Sequence, residues 1–181
     1  VSTNMELEQI NQHIHRVLCE QLRCGSGVDF HSLNEGYPLV LAGVIIPSEQ
    51  GFRVKRSDGD PVSHAIVDAI LAAMGAGDIA DWFNDEDGID DARSINYLRE
   101  LHHNLLAPRK ITIVNVQAII LAEKPKLKPF FLQMQTEIAS SLAIEPDRVA
   151  LQAKTFEGKG IIGNQEGIEV RATSMLLLPV I

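Results

Sequence analysis

Apolar residues recur along this chain with two periods, and the switch between them marks out its elements. Leu7, Ile10, Ile14, Val17, Leu18 and Leu22 fall three or four apart among polar neighbours, which predicts an amphipathic helix over residues 5–22. After a small-residue break at residues 24–27, the apolar-rich runs 28–33 and 39–46 read as strands, joined through a turn containing Asn34, Gly36 and Pro38. A polar loop over residues 51–59 then leads to Asp60 and Pro61, a residue pair suited to the cap and first position of a helix that runs to about Met74. Gly75 and Gly77 end it, and residues 78–83 form a short turn or helical segment.

Residues 91–106 return to helical spacing, with Ile95, Leu98, Leu101 and Leu105 on one stripe. The Ile- and Val-rich run 111–121 is the strongest strand signal, followed by a rigid basic turn at residues 124–129 and a third helix at 130–142. A strand at 149–154 and a last one at 168–178 flank a segment broken by Gly158, Gly160, Gly163 and Gly167. Alternating strands and helices with short connections predict an α/β (α+β) fold, a mixed β-sheet with helices packed on one face.

With 181 residues, 45% of them hydrophobic, the chain has the material for one domain with a real core. No apolar run is long enough to cross a bilayer, and no basic stretch leads into an apolar block at the start, so neither a membrane partner nor a secretory signal is expected. The expected location is cytoplasmic, or a plastid-type organelle in a eukaryote. A formal charge of -8 argues against nucleic acid as a partner, because phosphate-backbone binders concentrate Lys and Arg. The two cysteines, Cys19 and Cys24, complete no structural zinc pattern and suit reduced thiols.

Candidate chemistry centres on Asp29, His31 and His64. Residues two apart on a strand face the same way, so Asp29 and His31 aim at one point, while His64 lies in the first turn of the helix after Asp60. Two imidazoles and a carboxylate are three of the four ligands of a tetrahedral zinc, with the fourth position open as in a catalytic site. The spacing alone leaves core histidines with ordinary partners as the alternative. Asp68, one turn after His64, is either a carboxylate that orients that imidazole or a helix-surface group. His13 and His15 read as solvated, His102 and His103 as complements to a helix C-terminus, and the acidic run 84–88 as a solvated loop.

The segments Gly27-Val28-Asp29-Phe30-His31, Ser57-Asp58-Gly59-Asp60 with His64-Ala65 and Asp68-Ala69, Gly77-Asp78-Ile79, and Gly163 with Glu166-Gly167-Ile168 stand in an order and spacing that resembles the 2-C-methyl-D-erythritol 2,4-cyclodiphosphate synthase family. The resemblance divides the chain into an N-terminal helix or linker, residues 1–24, and a synthase-like domain, residues 25–181. It implies a homotrimer with active sites between subunits, converting 4-diphosphocytidyl-2-C-methyl-D-erythritol 2-phosphate to the cyclic diphosphate and CMP. In such phosphoryl transfer the protein supplies mainly positioning and charge stabilisation.

By resemblance, Asp29, His31 and His64 hold Zn2+ and Glu157 holds Mg2+ (or Mn2+). Thr155 contacts phosphate, Asp78 accepts hydrogen bonds from the erythritol hydroxyls, and Ser57 and Arg56 belong to the loop that closes over substrate. The turn from Ala122 to Lys128 matches the cytidine-monophosphate pocket, where Lys126 meets phosphate. Three positions depart from the family: Arg56 replaces a histidine, Phe156 interrupts a threonine run, and Asn164 replaces an arginine lining the trimer axis, where no isoprenoid diphosphate is therefore expected. These departures keep open a metal- and cytidine-nucleotide-binding protein of the same fold with lost or altered turnover; a metal-dependent phosphohydrolase, in which a zinc-bound water attacks the substrate, is a third reading.

Overall fold

A computed structural model describes residues 2–53, 57–83 and 93–179. In chain order its elements are helix α1 (Ser2–Arg16), strands β1 (Leu22–Glu35), β2 (Leu39–Leu41), β3 (Val44–Ile46) and β4 (Gln50–Phe52), and helices α2 (Pro61–Met74), α3 (Ile79–Trp82) and α4 (Ile95–Leu101). Strand β5 (Thr112–Leu121), helix α5 (Phe131–Leu142), strand β6 (Val149–Lys154), helix α6 (Gly160–Gly163) and strand β7 (Gly167–Leu177) complete the chain. The main sheet has the order β4-β1-β7-β5-β6; only the β5–β6 pair is parallel, so the sheet is mixed, as its pattern predicts.

One face of this sheet carries the core. Along β7, Ile168, Val170, Ala172, Ser174 and Leu176 alternate inward and are buried beneath α2, while Glu169, Arg171 and Thr173 point the other way. Helix α2 lies directly on β1 and β7, and α4 and α5 pack beside it to extend the layer. Its ends follow sequence rules: Asp60 caps the first turn, Pro61 needs no N–H there, and Gly75 closes the helix at φ 65°.

Residues 24–27 do not break the chain; they lie inside β1, and their small size serves packing. A Cβ on Gly25 would lie 2.1 Å from the Ala69 carbonyl oxygen, and one on Gly27 would lie 2.2 Å from that of Ala65. These two glycines let strand and helix backbones meet, with Ala65, Ala69 and Ala73 forming the facing stripe. Four helical residues rise about 6 Å and two strand residues about 6.6 Å, so successive glycines meet successive turns.

Other boundaries also shift. The N-terminal helix ends at Arg16 and a wide turn, Val17–Gln21, delivers Leu22 to its pairing with Leu177. Residues 39–46 form a hairpin instead of one strand, because Ala42 and Gly43 both take positive φ and reverse the chain in two residues. The end of α4 widens into a turn over His102–Leu106. Leu7, Ile10, Ile14 and Leu18 remain exposed on one stripe. Among the described residues no helix is long and apolar enough to cross a membrane.

Gly27→Ala forces the β1 and α2 backbones apart. We expect it to lower stability by about 3 kcal/mol, the upper range for overpacking, read as a lower urea midpoint; an unchanged midpoint would show that the contact has slack.

Candidate active site

The glycine contacts set the site two residues further along β1. Asp29 follows Gly27 on the same face, and His64, the residue before Ala65 on α2, meets it: its Nδ1 lies 3.0 Å from Asp29 Oδ2. His31 Nδ1 lies 3.1 Å from the same oxygen. Asp29, His31 and His64 offer ligand atoms within 4.8 Å of one another, and all three are partly buried. The rings of Phe52, at 5.5 Å from His31, and Tyr97, at 5.9 Å from His64, wall the cluster.

Its electrostatics favour a cation. Burial pushes the Asp29 carboxyl up, but the adjacent imidazoles of His31 and His64 outweigh this and hold it well below the usual carboxylate range. Burial opposes charging of His64, yet the bond to Asp29 and the charges of Asp29, Asp60 and Asp58 raise its pKa above the ordinary value. His31 Nδ1 is buried and, despite its proximity to Asp29, has no aligned hydrogen-bond partner. An orphaned imidazole nitrogen beside a carboxylate and a second imidazole is a donor set that suits zinc.

Asp60 fixes the platform. Its fully buried carboxylate accepts from the backbone N–H groups of Ala42, Gly43, Val62 and Ser63 and from the Ser63 hydroxyl, joining the β2–β3 turn to the start of α2. Burial raises its pKa against the pull of these donors.

The remaining sequence-derived candidates fall in three places. Ser57 Oγ accepts from Gly59 N at 3.1 Å in the loop before α2, whereas Arg56 and the acidic run 84–88 lie outside the described residues. Asp78 is exposed and caps α3, one oxygen accepting from Ala80 N. Asp68 does not bond His64; its Oδ1 accepts from Ile79 N at 2.8 Å and so anchors the residue next to Asp78. His64 instead has a partner that its sequence neighbourhood does not reveal: Ser94 Oγ, 3.0 Å from Nε2.

Ala122, Lys126 and Thr155 line one cleft of about 520 Å³ with Glu123, Pro125 and Lys154. The Thr155 hydroxyl donates to Glu157 Oε1 at 2.7 Å, and Glu157 takes a positive φ of 53°. Phe156 does not line this cleft; its side chain points to solvent while its N–H bonds Glu123. Asn164 donates to Glu166. Within one chain Asp29 and His31 on β1 and the β6 side of the cleft at Lys154 are separated by β7 and β5, about 14 Å at ordinary strand spacing.

Asp60→Asn places an amide NH2 against N–H donors in either orientation. We expect a loss of about 2–3 kcal/mol in urea unfolding; a stability equal to the parent would overturn this reading of the platform.

Residues 22–177 match the YgbB family. The 2-C-methyl-D-erythritol 2,4-cyclodiphosphate synthase of Pelotomaculum thermopropionicum is 41% identical over 155 residues, covering 86% of this chain and 95% of the relative. That of Neisseria gonorrhoeae is also 41% identical, over 86% of this chain and 97% of its own. Among solved structures, the bifunctional IspDF from Campylobacter jejuni superposes with a TM-score of 0.81 and 34% identity; the match takes in 88% of this chain but only 43% of that longer one. A Plasmodium falciparum IspF solved as a CDP complex gives 0.75 and 30% over 88% of this chain and 98% of its own.

Proposed function

The chain belongs to the YgbB family, and from that premise we propose how its own residues perform the family's cyclisation. It is a 2-C-methyl-D-erythritol 2,4-cyclodiphosphate synthase, a phosphorus-oxygen lyase of isoprene-precursor synthesis by the non-mevalonate route. The 2-phosphate of the cytidylated substrate forms a bond to the β-phosphorus. The bond from that phosphorus to the oxygen bridging the α-phosphate breaks, and CMP leaves with the electron pair.

The observation that carries the residue assignment is the triad with its orphaned His31 nitrogen. Asp29, His31 and His64 hold zinc, and Glu157 holds magnesium or manganese. When bound, these cations supply charge stabilisation for the phosphates and orient the attack. The Thr155 hydroxyl donates to one Glu157 oxygen and so orients the exposed carboxylate. The cleft lined by Ala122 and Lys126 receives the cytidine monophosphate portion, with Lys126 as a point charge toward phosphate. Asp78, exposed at the start of α3, accepts from the erythritol hydroxyls. Ser57 belongs to the loop that closes over the substrate, and Arg56 supplies a phosphate-pairing cation.

The three strand spacings between β1 and β6 keep the zinc ligands of one chain away from that chain's own phosphate-contacting residues after β6, Thr155 and Glu157. A homotrimer in which the triad of one subunit faces the cleft of the next resolves this. The exposed open face of the sheet, with Val28 and Phe30, gives such an assembly apolar surface to cover. The helix Ser2–Arg16 precedes the sheet, residues 22–24 already belong to β1, and the enzyme acts in the cytoplasm.

The direct test is incubation of purified protein with the substrate, zinc and magnesium. Stoichiometric CMP and cyclic diphosphate are expected; absence of CMP with zinc occupancy confirmed would reject the reading. His64→Ala is expected to lose zinc and turnover while keeping its unfolding midpoint in chelator; a collapse of the fold would make the metal structural. Subunit sharing is tested by mixing inactive His64→Ala and Glu157→Gln chains. Random exchange gives each site a one-in-two chance of each intact half, so roughly a quarter of the parental rate should return. No recovery, with exchange verified by native mass spectrometry, would place each site within one subunit.

A further inference from the structure

Ser94 stands at the head of α4, where a serine hydroxyl ordinarily accepts from the helix's first N–H groups, yet it makes no capping bond. The residue is fully buried, and its Oγ lies 3.0 Å from His64 Nε2 instead. Its own backbone N–H donates to Asp58 Oδ1 at 2.9 Å. The chain of contacts therefore runs from the loop before α2 through the first residue of the α4 segment to the ring nitrogen of His64 that faces away from Asp29.

We propose that Ser94, held by Asp58, is the positioning residue that sets the tautomer and ring orientation of His64 for metal binding. The inference rests on the zinc reading above. His64 presents Nδ1 to Asp29, so a metal held with Asp29 takes the Nδ1 lone pair, and the ring proton must reside on Nε2. There it meets an acceptor, Ser94 Oγ, on a fully buried residue. An imidazole without this partner samples both tautomers and rotates about its side-chain bonds, and must be ordered each time metal binds.

A second consequence concerns assembly of the site. Asp58 belongs to the loop before α2, and Arg93, the neighbour of Ser94, donates to the Gly43 carbonyl at 2.6 Å. The start of α4 is thus tied to the same hairpin turn that Asp60 ties to α2. Ser94 is delivered to His64 from two sides, which makes its placement a property of the folded chain and not of the metal.

The test is zinc affinity by chelator competition, without substrate, together with long-range proton–nitrogen spectra of the histidine rings. Ser94→Ala should weaken zinc by about 10- to 100-fold, the usual effect of removing a ligand's outer partner, and should lose the slowly exchanging Nε2 proton of His64. Asp58→Asn, whose amide oxygen still accepts from Ser94 N, should bind within a few-fold of the parent and keep that proton. Parental zinc affinity and an unchanged His64 spectrum in Ser94→Ala would overturn the relay while leaving the cyclisation untouched. A parent protein that binds no zinc would remove both. Should Ser94→Ala unfold, Ser94→Thr, which keeps the hydroxyl, must retain the tight site; loss of affinity in a folded threonine variant would also overturn the relay.

Discussion

Everything in the site depends on the contact between the backbones of β1 and α2. Gly25 and Gly27 have no side chain to hold the helix away, and Ala65, Ala69 and Ala73 present the smallest stripe that keeps helical character. The matching rise of one helical turn and two strand residues carries this register forward. Two residues beyond Gly27, the space that glycine left empty is filled by Asp29, and His64, the residue before Ala65, meets it. The close strand–helix contact that packs the core therefore sets a carboxylate against an imidazole at its edge.

That edge is where the fold stores polarity. Asp29 gathers two imidazoles, Asp60 gathers five donors, and Asp58 holds Ser94, so three carboxylates organise the junction of β1, the β2–β3 turn, α2 and α4. Asp60 is saturated, with hydrogen bonds to both oxygens, and acts as a fixed strut. Asp29 Oδ1 accepts from the Phe30 N–H, but around its Oδ2 stand two imidazole nitrogens, one of them without an aligned partner. The difference separates a structural carboxylate from one suited to a cation. It also explains why His64 can be rigid before any ion arrives: both of its ring nitrogens are engaged.

Much of this was legible in the residues themselves. The start of α2 follows from Asp60-Pro61, the convergence of Asp29 and His31 from strand alternation, and the common cleft of Ala122, Lys126 and Thr155 from family resemblance. Other features depend on partners remote in sequence. A glycine pair in a strand carries the same letters as a turn, and only the helix above it distinguishes close packing from a break. The bend at Ala42-Gly43 requires positive φ at an alanine, which no local pattern announces. Asp68 looks like the partner of His64 because it lies one turn away, but it bonds Ile79, and the actual partner Ser94 is thirty residues distant.

The account stands on a three-residue metal centre preformed by packing. X-ray absorption at the zinc edge of the zinc-loaded protein reports its donors directly. Two imidazole nitrogens, one carboxylate oxygen and one further light atom at about 2.0–2.2 Å are the predicted first coordination sphere. Sulfur at about 2.3 Å, or a sphere without imidazole, would contradict it, because Cys19 and Cys24 or carboxylates elsewhere would then hold the ion.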